Sequence, residues 1–377
     1  MLTLTPPQRR LSPGFRETVS GFLWWYVDLR NDAGDGVVFI AGFGLPFLPP
    51  RSGSSSSSTP RERPCVNLAV YRCGKQIWYA LQELDEHACD VGSNDDEVYG
   101  FGGSVVRVLR KSGRIDVSVD IDIEVVGVAR ATGRIEVAGA ARSDDSVSVE
   151  SASESGVVDH DWSPQTGVAQ GRASLVLDGL SFDIVGRGYH DRNGARRSLT
   201  DLGIERWAWG RFSSTSEEKI VYALRSTTGE DQVIGLTIDH DGRTTHHADL
   251  RLIVKKQRRS VFGVDIAHGV EVVANDGSVF VGFSVDFVVE RGPFYVRSFV
   301  RHAGGSGVFE QVWPGRIGLA RHALLVEMRV ARRAATASSS MWLPLFCGHA
   351  SSRLARLWSF WRARAWRQLT LTAGEVR

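Results

Sequence analysis

The residues of this chain that could do acid–base chemistry stand close together near its middle. Tyr189, Asp191 and Asn193 are spaced two apart, directly after an apolar segment. In an extended strand these three side chains share one face, while His190 and Arg192 take the other. One face would then carry a carboxylic acid between two hydrogen-bonding groups. Asp and Asn are also common turn formers, so by itself the run is explained more simply as a strand end entering a polar turn.

Other candidate sites in the sequence are weaker. Asp239, His240, His246 and His247 suggest a metal site, but they surround a turn signature at residues 241–243, so we expect a solvated hairpin. The four cysteines show neither a CxxC pair nor zinc-ligand spacing, which favours a reduced cytosolic chain. A nucleophile elbow, an HExxH motif and a glycine-rich phosphate loop are all missing from the sequence. The sequence therefore predicts neither a metal nor a cofactor.

The elements that would position these residues are β-strands. The clearest strand covers residues 114–126, where apolar side chains alternate with acidic and polar ones. Its acids could bind a metal, but all lie on the polar side of the alternation, which favours a solvated strand face. Short runs of this kind recur between turn signals along most of the chain, without a βαβ rhythm. This pattern predicts an all-β fold of barrels or sandwiches.

Length and composition set limits on the class of protein. A chain of 377 residues with 42% hydrophobic and 23% charged residues is typical of a globular protein with one or two domains. The formal net charge of +2 is too small to indicate a nucleic-acid partner. The N-terminus lacks the apolar core of a secretion signal, and the longest apolar run, 36–48, is too short to cross a bilayer. We expect a cytoplasmic protein that is soluble or peripherally bound.

The segment from Ser351 to Gln368 differs in character from the rest. It contains five arginines and no acidic residue, and its Leu and Trp residues follow helical spacing. An Arg-rich face opposite a Trp/Leu face suits a helix that lies in a membrane interface. A terminal helix packed on the barrel with solvated arginines explains the pattern as well, so both interpretations stay open.

Short motifs are spread along most of the chain in a fixed order. They are Trp24-Trp25-Tyr26-Val27-Asp28, Val38-Phe-Ile-Ala-Gly-Phe43 with Pro46-Phe47, Pro64-Cys-Val-Asn-Leu-Ala-Val-Tyr71, His160-x-Trp162-x-Pro164, Gly188-Tyr189-x-Asp191-x-Asn193, Trp207-x-Trp209-x-Arg211, and Gly292-Pro-Phe-Tyr-Val-Arg-Ser298 with Glu310. Together they resemble the carotenoid 1,2-hydratase family, also called hydroxyneurosporene synthase. The resemblance runs from near residue 20 to about residue 330, and the ordered set is more specific than any single motif.

The resemblance implies a two-part, lipocalin-like β architecture and a cofactor-free reaction. The reaction is the addition of water to the terminal C1–C2 double bond of an acyclic carotene such as neurosporene or lycopene. It needs a donor that is still protonated near neutral pH, and a carboxyl group with a pKa near ~4 is so only when desolvation raises that pKa. Asp191 is therefore the predicted general acid, Tyr189 would orient it or relay the proton, and Trp162 would stabilise the cation.

The predicted substrate-binding residues complete the site. Asn193 would position the water, and Trp207 and Trp209 would line the pocket. Trp25 and His190 are also predicted to contact the substrate. The central motif usually continues Asn-x-Gly in the family, whereas Gly194 and Ala195 follow Asn193 here, which puts details of the substrate in doubt.

The alternation around Asp191 raises one difficulty. Phe182 and Ile184 fall on the face of His190, opposite Asp191. If those apolar residues mark the buried face, a kink or bulge at Gly186 or Gly188 is needed to aim Asp191 inward.

We expect four regions along the chain. They are a polar lead-in (1–20), an N-terminal lipocalin-like β domain with the central motif (21–200), a C-terminal lipocalin-like β domain (201–335) and a tail with the amphipathic helix (336–377). The implied partners are an acyclic carotenoid and, through that helix, the inner (photosynthetic) membrane. A lipocalin-like cyclase of secondary metabolism, of the Diels–Alderase type, and a non-catalytic carrier of apolar ligands are the alternatives. The preferred carotene, one or two hydrations and the oligomeric state are left open.

Overall fold

The computed structural model describes residues 2–7, 14–44, 47, 59–84, 86, 89–91, 97–125, 129–143, 160–317, 328–333 and 338–343. Most of these residues lie in β-strands, which confirms the all-β class. Within these ranges the helical elements are α1 (Gly14–Glu17) and two 3₁₀ turns (Pro60–Glu62 and Pro314–Arg316). The C-terminal helix predicted at 351–368 falls outside the described residues.

The first of two sheets contains the strands of the N-terminal half and two late strands. These are β1 (Leu2–Leu4), β2 (Phe22–Arg30), β3 (Gly36–Phe43), β4 (Pro64–Arg72), β5 (Lys75–Leu84), β6 (Cys89–Val91), β7 (Glu97–Phe101), β8 (Ser104–Lys111), β9 (Arg114–Val125), β10 (Ala129–Ala141), β11 (His160–Pro164), β12 (Thr166–Leu177), β13 (Leu180–Ala195), β23 (Met328–Arg333) and β24 (Ser338–Leu343).

The second sheet contains nine consecutive strands. These are β14 (Ile204–Ser213), β15 (Glu217–Ser226), β16 (Asp231–Asp239), β17 (Thr244–His247), β18 (Arg251–Arg259), β19 (Asp265–Val273), β20 (Val279–Arg291), β21 (Tyr295–His302) and β22 (Gly305–Val312). Nearly all pairings in both sheets are antiparallel, and strand order is mostly that of the sequence. One sheet forms a nearly closed barrel and the other a half-barrel.

Local signals in the sequence explain several of these elements. The strand predicted at 114–126 is β9, whose apolar positions are buried and whose Asp120 is paired on the outer face with Arg107 and Arg134. The acidic face of this strand is therefore neutralised by arginines on its neighbours β8 and β10. Within the stretch expected as a polar lead-in, Leu2–Leu4 form β1, because Leu2 and Leu4 are buried and the strand pairs in parallel with β11.

Most of the buried apolar residues belong to one of two large cores. The first lies inside the first sheet, which curls around residues such as Phe39, Leu68, Val119 and Phe182. The second lies between the sheets and takes large aromatic residues from both. Each fully buried large apolar side chain stabilises the fold by about 1.5–3 kcal/mol relative to its exposed state. The shared core therefore holds the two sheets together.

The chain passes from the first sheet to the second between Ala195 and Ile204, and β23 returns to the first sheet by pairing in parallel with β5. The domain boundaries given above stay predictions, since the two sheets share a core. Among the described residues, the structure contains no helix with the length and apolar character required to span a bilayer.

Candidate active site

Strand β13 carries the central motif and is buried on both faces over its second half. It pairs with β2 on one side, and with β12 and then β11 on the other. Phe182 and Ile184 point into the core of the first sheet, whereas Tyr189 points into the core between the sheets. The predicted alternation of Tyr189, Asp191 and Asn193 is thus what the structure shows.

The predicted kink in this strand is wrong. The register of β13 with β12 continues without a shift from Leu180 to Gly188, and its register with β2 does so from Arg187 to Ala195. No bend is needed, because the two faces of the strand serve two different cores. The glycine at 188 instead provides space: a Cβ there would lie 2.7 Å from the side chain of Val137.

Asp191 is held by three hydrogen bonds from its neighbours. Trp162 Nε1 and Tyr189 Oη each donate to Oδ2 at 3.0 Å, and Asn193 Nδ2 donates to Oδ1 at 2.9 Å. Trp162 reaches this position because β11 pairs with β13, which places Trp162 opposite Asn193. The indole and phenol are fully buried, so the carboxyl group has a fixed orientation.

Burial makes Asp191 a weak acid. Desolvation raises its pKa to about 8, and the carboxylates of Glu310 and Asp28 act in the same direction, whereas the bonds from Trp162 and Tyr189 lower it. The Asp191 side chain therefore carries its proton at neutral pH, as a general acid must. Oδ2 accepts from two donors and Oδ1 from one, so Oδ1 has more room to carry the proton.

A cavity of about 90 Å³ lies between the two sheets, next to Asp191. Its wall is mostly aromatic, which gives an apolar site with few polar groups, as ligand sites usually have. The aromatic lining residues are Trp24, Tyr26, Phe43, Phe47, Tyr79, Trp207, Trp209, Tyr222 and Tyr295. The ionisable ones besides Asp191 are Glu290, Arg297 and Glu310.

The ionisable lining residues of the second sheet form one buried network. Arg297 donates from Nε to Glu310 Oε1 at 2.9 Å and from Nη1 to Glu290 Oε1 at 2.8 Å. Glu290 also accepts a short hydrogen bond from Tyr71 Oη, and burial raises the pKa of Glu290 to about 7. Two carboxyl groups thus face one guanidinium.

Tyr26 connects this network to the acid. It is the cross-strand partner of Asp191 in the pairing of β2 with β13. Its hydroxyl donates to Asp28 Oδ2 at 2.9 Å and lies 3.3 Å from Glu310 Oε1. Desolvation raises the pKa of Tyr26 well above its usual value, so the phenol is neutral.

An ion pair beneath the cavity joins the two sheets. Arg211 of β14 binds Asp28 of β2 in a bidentate contact, with Nε 3.0 Å from Oδ2. Its Nη1 lies 3.3 Å from Glu218 Oε1, and all three side chains are almost fully buried. Arg211, the last residue of the Trp207-x-Trp209-x-Arg211 motif, therefore links the two sheets and does not line the cavity.

The structure brings most of the predicted site residues together. Asp191, Asn193, Trp207 and Trp209 line the cavity. Tyr189 and Trp162 lie behind Asp191, bonded to it. Trp209 packs on the ring of Tyr189, with ring centroids 5.4 Å apart.

Trp25 and His190 lie outside the cavity, because both point to the opposite face of their strands. Trp25 packs in the core of the first sheet against Tyr99 and Phe101. His190 Nδ1 lies 2.8 Å from the carbonyl of Tyr26, and desolvation lowers its pKa to about 3. The cross-strand register of β2 with β13 places Tyr26, and not Trp25, beside Asp191.

Several residues at the cavity escaped the sequence reasoning. Tyr222 lines it and belongs to no recognised motif, whereas Tyr26 and Glu310 lie in motifs that were recognised without being selected as site residues. His160 is buried against Trp207 and Tyr222, and desolvation lowers its pKa to about 3. Tyr26 and Asp28 are two residues apart and share one face of β2, so the alternation of this strand could have identified Tyr26. Glu310 reaches the cavity only through the pairing of β14 with β22, which the sequence alone does not show.

The turn with possible metal ligands has another explanation. Ligand atoms of Asp239, His240 and Asp241 lie within 4.8 Å of one another at exposed or half-buried positions. Asp239 Oδ1, however, accepts the backbone N–H groups of Asp241 and Arg243 at 2.9 Å each. These bonds close the hairpin between β16 and β17 that the sequence predicts.

The chain is similar to curated proteins and to solved structures. The chain is 24% identical over 243 residues to an acyclic carotenoid 1,2-hydratase of Thiocapsa roseopersicina (60% of this chain, 53% of that protein). It is 27% identical over 244 residues to one of Rubrivivax gelatinosus (62% and 56%). The chain thus spans about half the length of the curated relatives it matches. The crystal structure of CghA aligns with 78% of this chain and 88% of its own at 14% identity, but its TM-score of 0.48 is too low to support a conclusion.

The most extensive match is to a family model. Residues 39–339 match the model of the carotenoid hydratase CrtC, which covers most of the chain and includes the strands that carry Asp191, Trp162, Trp209 and Glu310. The chain belongs to the carotenoid hydratase CrtC family.

Proposed function

We propose that the protein adds water to the terminal C1–C2 double bond of an acyclic carotene of the neurosporene or lycopene type, giving a tertiary 1-hydroxy carotenoid without a cofactor. The observation that carries this proposal is Asp191, a buried carboxylic acid with a pKa of about 8 beside an aromatic cavity. The family and the two hydratase relatives support the substrate class.

The size of the cavity favours reaction at the end of a polyene. About 90 Å³ is far too small for a whole carotenoid, so one end of the polyene is the part that enters. The rest of the chain must extend out of the cavity. Only a terminal double bond then reaches Asp191, which agrees with attack at C1–C2.

The first chemical step is proton transfer from Asp191 Oδ1 to C2. The π electrons of the double bond form the new C–H bond, and C1 becomes a tertiary cation. Trp162 and Tyr189 hydrogen-bond to the other oxygen and stabilise the carboxylate that is left. Asn193, bonded to Oδ1, holds the carboxyl group in the orientation for transfer.

Aromatic faces stabilise the cation while it exists. Trp207, Trp209 and Tyr222 line the cavity without a charge of their own. A cation over such a face gains on the order of 1–2 kcal/mol in a desolvated site. The carboxylates of the network at Arg297 add a negative field from the opposite wall.

Water captures C1 in the second step and must lose a proton. Glu310 is the carboxylate in the cavity wall that accepts it, because it lies across the cavity from β13 and is fixed by Arg297. Tyr26 is hydrogen-bonded to Glu310, and the proton must return from Glu310 to Asp191 before the next turnover. The net reaction consumes one water and leaves every protein group as it began.

Expression of the chain in cells that accumulate neurosporene or lycopene tests the proposal. Chromatography with mass spectrometry should reveal a product heavier by one water, with a tertiary 1-hydroxyl group. Soluble protein without any polar product would overturn the hydratase assignment and favour an apolar-ligand carrier. A cyclised product of unchanged mass would favour a cyclase.

A further inference from the structure

The outermost strand of the second sheet, β18, carries an unusual concentration of positive charge. Its nine residues include five exposed basic ones and no acidic one: Arg251, Lys255, Lys256, Arg258 and Arg259. Residues 251–273, which form the β18–β19 hairpin, hold five basic and two acidic residues, a formal charge of +3 with the histidine neutral. The whole chain has a formal charge of only +2.

Part of this charge is not neutralised. Lys255 pairs with Glu271 at 2.8 Å, and Arg259 lies 3.8 Å from an oxygen of Asp265. Within the described part of the chain, Lys256 makes no ion pair. The same holds for Arg258, so two cations on this edge face solvent without a protein anion.

These cations form a cluster on the sheet surface. His268 of β19 is half-buried between them, and its pKa is lowered by desolvation first and then by Arg258, Arg291 and Lys256. Basic residues on an edge strand also prevent pairing with other chains. Protection of the edge requires charges along β18, but it does not require Arg291 of β20 to lie near them.

The hairpin ends in an exposed apolar tip. The side chain of Val261 is 86% exposed, and Phe262 beside it is half-buried. Arg316 fixes the turn by donating to the carbonyl of Phe262 at 2.8 Å. An aliphatic tip on a fixed turn next to cations has the composition of an interfacial membrane contact.

This tip lies at the same end of the second sheet as the aromatic wall of the cavity. The strands are antiparallel, so the turn at 260–264, the turn at 292–294 and the residues after Val312 share one end. At this end Phe294 stacks on Phe47, with ring centroids 6.2 Å apart, and Phe47 lines the cavity. The turn of the basic hairpin thus lies at the same end of the second sheet as part of the cavity wall.

We propose that the β18–β19 hairpin is a docking surface for an anionic lipid bilayer, with Lys256 and Arg258 at the headgroups and Val261 in the interface. The inference rests on the proposed function in one respect, since a long apolar substrate is delivered from a bilayer. It differs from the expected contact through the C-terminal segment, because it uses residues of the folded sheet.

Vesicle flotation of the full-length chain tests the surface without any carotenoid. Wild-type protein should bind vesicles of phosphatidylcholine mixed with phosphatidylglycerol, should bind pure phosphatidylcholine weakly, and should be released by raised salt. Changing Lys256→Gln together with Arg258→Gln should weaken binding by roughly tenfold to thirtyfold, since each cation near an anionic surface contributes about a factor of five. Val261→Ser should weaken the residual binding to pure phosphatidylcholine as well, because that binding does not depend on anionic lipid.

The matched control removes two exposed arginines of the first sheet, Arg134→Gln with Arg172→Gln, and should leave binding unchanged. Equal binding by wild type and by the Lys256/Arg258 variant would overturn the proposal, as would wild-type protein that ignores anionic vesicles. Unchanged circular dichroism spectra ensure that the compared chains are folded. Since no substrate is present, failure here leaves the hydration assay unaffected.

Discussion

Replacing Asp191 with Asn separates a catalytic acid from a merely structural one. The substitution keeps the shape of the side chain, and its carbonyl oxygen can accept the hydrogen bonds of Trp162 and Tyr189. Its NH2 group replaces the oxygen that accepts from Asn193 Nδ2, and it can donate to Asn193 Oδ1 when that amide turns over. It removes the only proton that the proposed first step transfers. We expect hydration to fall by about 10²- to 10⁴-fold, the usual contribution of a general acid.

The same substitution should make the protein more stable at neutral pH. Folding raises the pKa of Asp191 from 3.8 to about 8, so between these values the folded state holds a proton that the unfolded state has lost. The free energy of unfolding therefore falls as the pH rises through this window. At 1.36 kcal/mol per pH unit the loss at pH 7 reaches roughly 4 kcal/mol as an upper bound, and Asn, which does not titrate, avoids it.

Three measurements check this prediction. Product formation in carotene-accumulating cells reports the activity, and urea unfolding between pH 4 and pH 8 reports the stability. In the wild type, kcat/KM should also decrease above about pH 8, where the acid loses its proton. Asp183→Asn is the matched control, because Asp183 lies on the same strand and is exposed. Near-wild-type turnover in the Asp191→Asn variant, or a loss of stability at pH 7, would refute the assignment.

Glu310→Gln should reduce hydration by about 10²-fold or more, because the attacking water then lacks its proton acceptor. Asp191 should still exchange protons with the alkene, so deuterium from heavy water should appear in the recovered substrate. Absence of deuterium would count against Glu310 as the acceptor. Trp209→Leu should lower kcat about tenfold through loss of a cation–π contact, with little change in KM, and an unchanged kcat would contradict that role. Asp28→Asn removes one of the two carboxylates paired with the buried Arg211, and Glu218 remains. It should lower the free energy of unfolding by up to about 3–5 kcal/mol in urea titrations, whereas an unchanged midpoint would show that the Asp28 pair adds no stability. Deletion of the residues after Ser351 should move the protein from the membrane to the soluble fraction if that segment binds membrane, and unchanged partitioning would exclude it.

Local alternation was sufficient to predict the shared face of the central motif, whereas the proposal of Asp191 as the acid came from the family resemblance. The spacing of Tyr189, Asp191 and Asn193 placed all three on one face, and the strand has that face. The expected kink was wrong because alternation identifies a buried face only for a strand with one solvated side. Strand β13 has a core on each side, which a single sequence does not reveal.

The remaining site residues depend on contacts between distant parts of the chain. Glu310 and Arg297 reach the cavity because β22 pairs with β14 and β21, and because the second sheet packs on the first. Trp25 was selected and Tyr26 was not, although they are adjacent. The choice between them depends on the register of β2 with β13, which is a long-range property.

The core shared by the two sheets has a consequence for the chemistry itself. Asp191 belongs to one sheet, whereas Glu310 and the cation-stabilising faces of Trp207 and Trp209 belong to the other. If the sheets were apart, water would reach Asp191, its pKa would return toward its ordinary value, and the group would be ionised at neutral pH. A chain whose two sheets had not packed together would contain the same residues, but its Asp191 would be ionised at neutral pH and would have no proton to give to an alkene. The proposed proton donor is therefore protonated at neutral pH only when the two sheets are packed together, so the proposed reaction depends on their assembly.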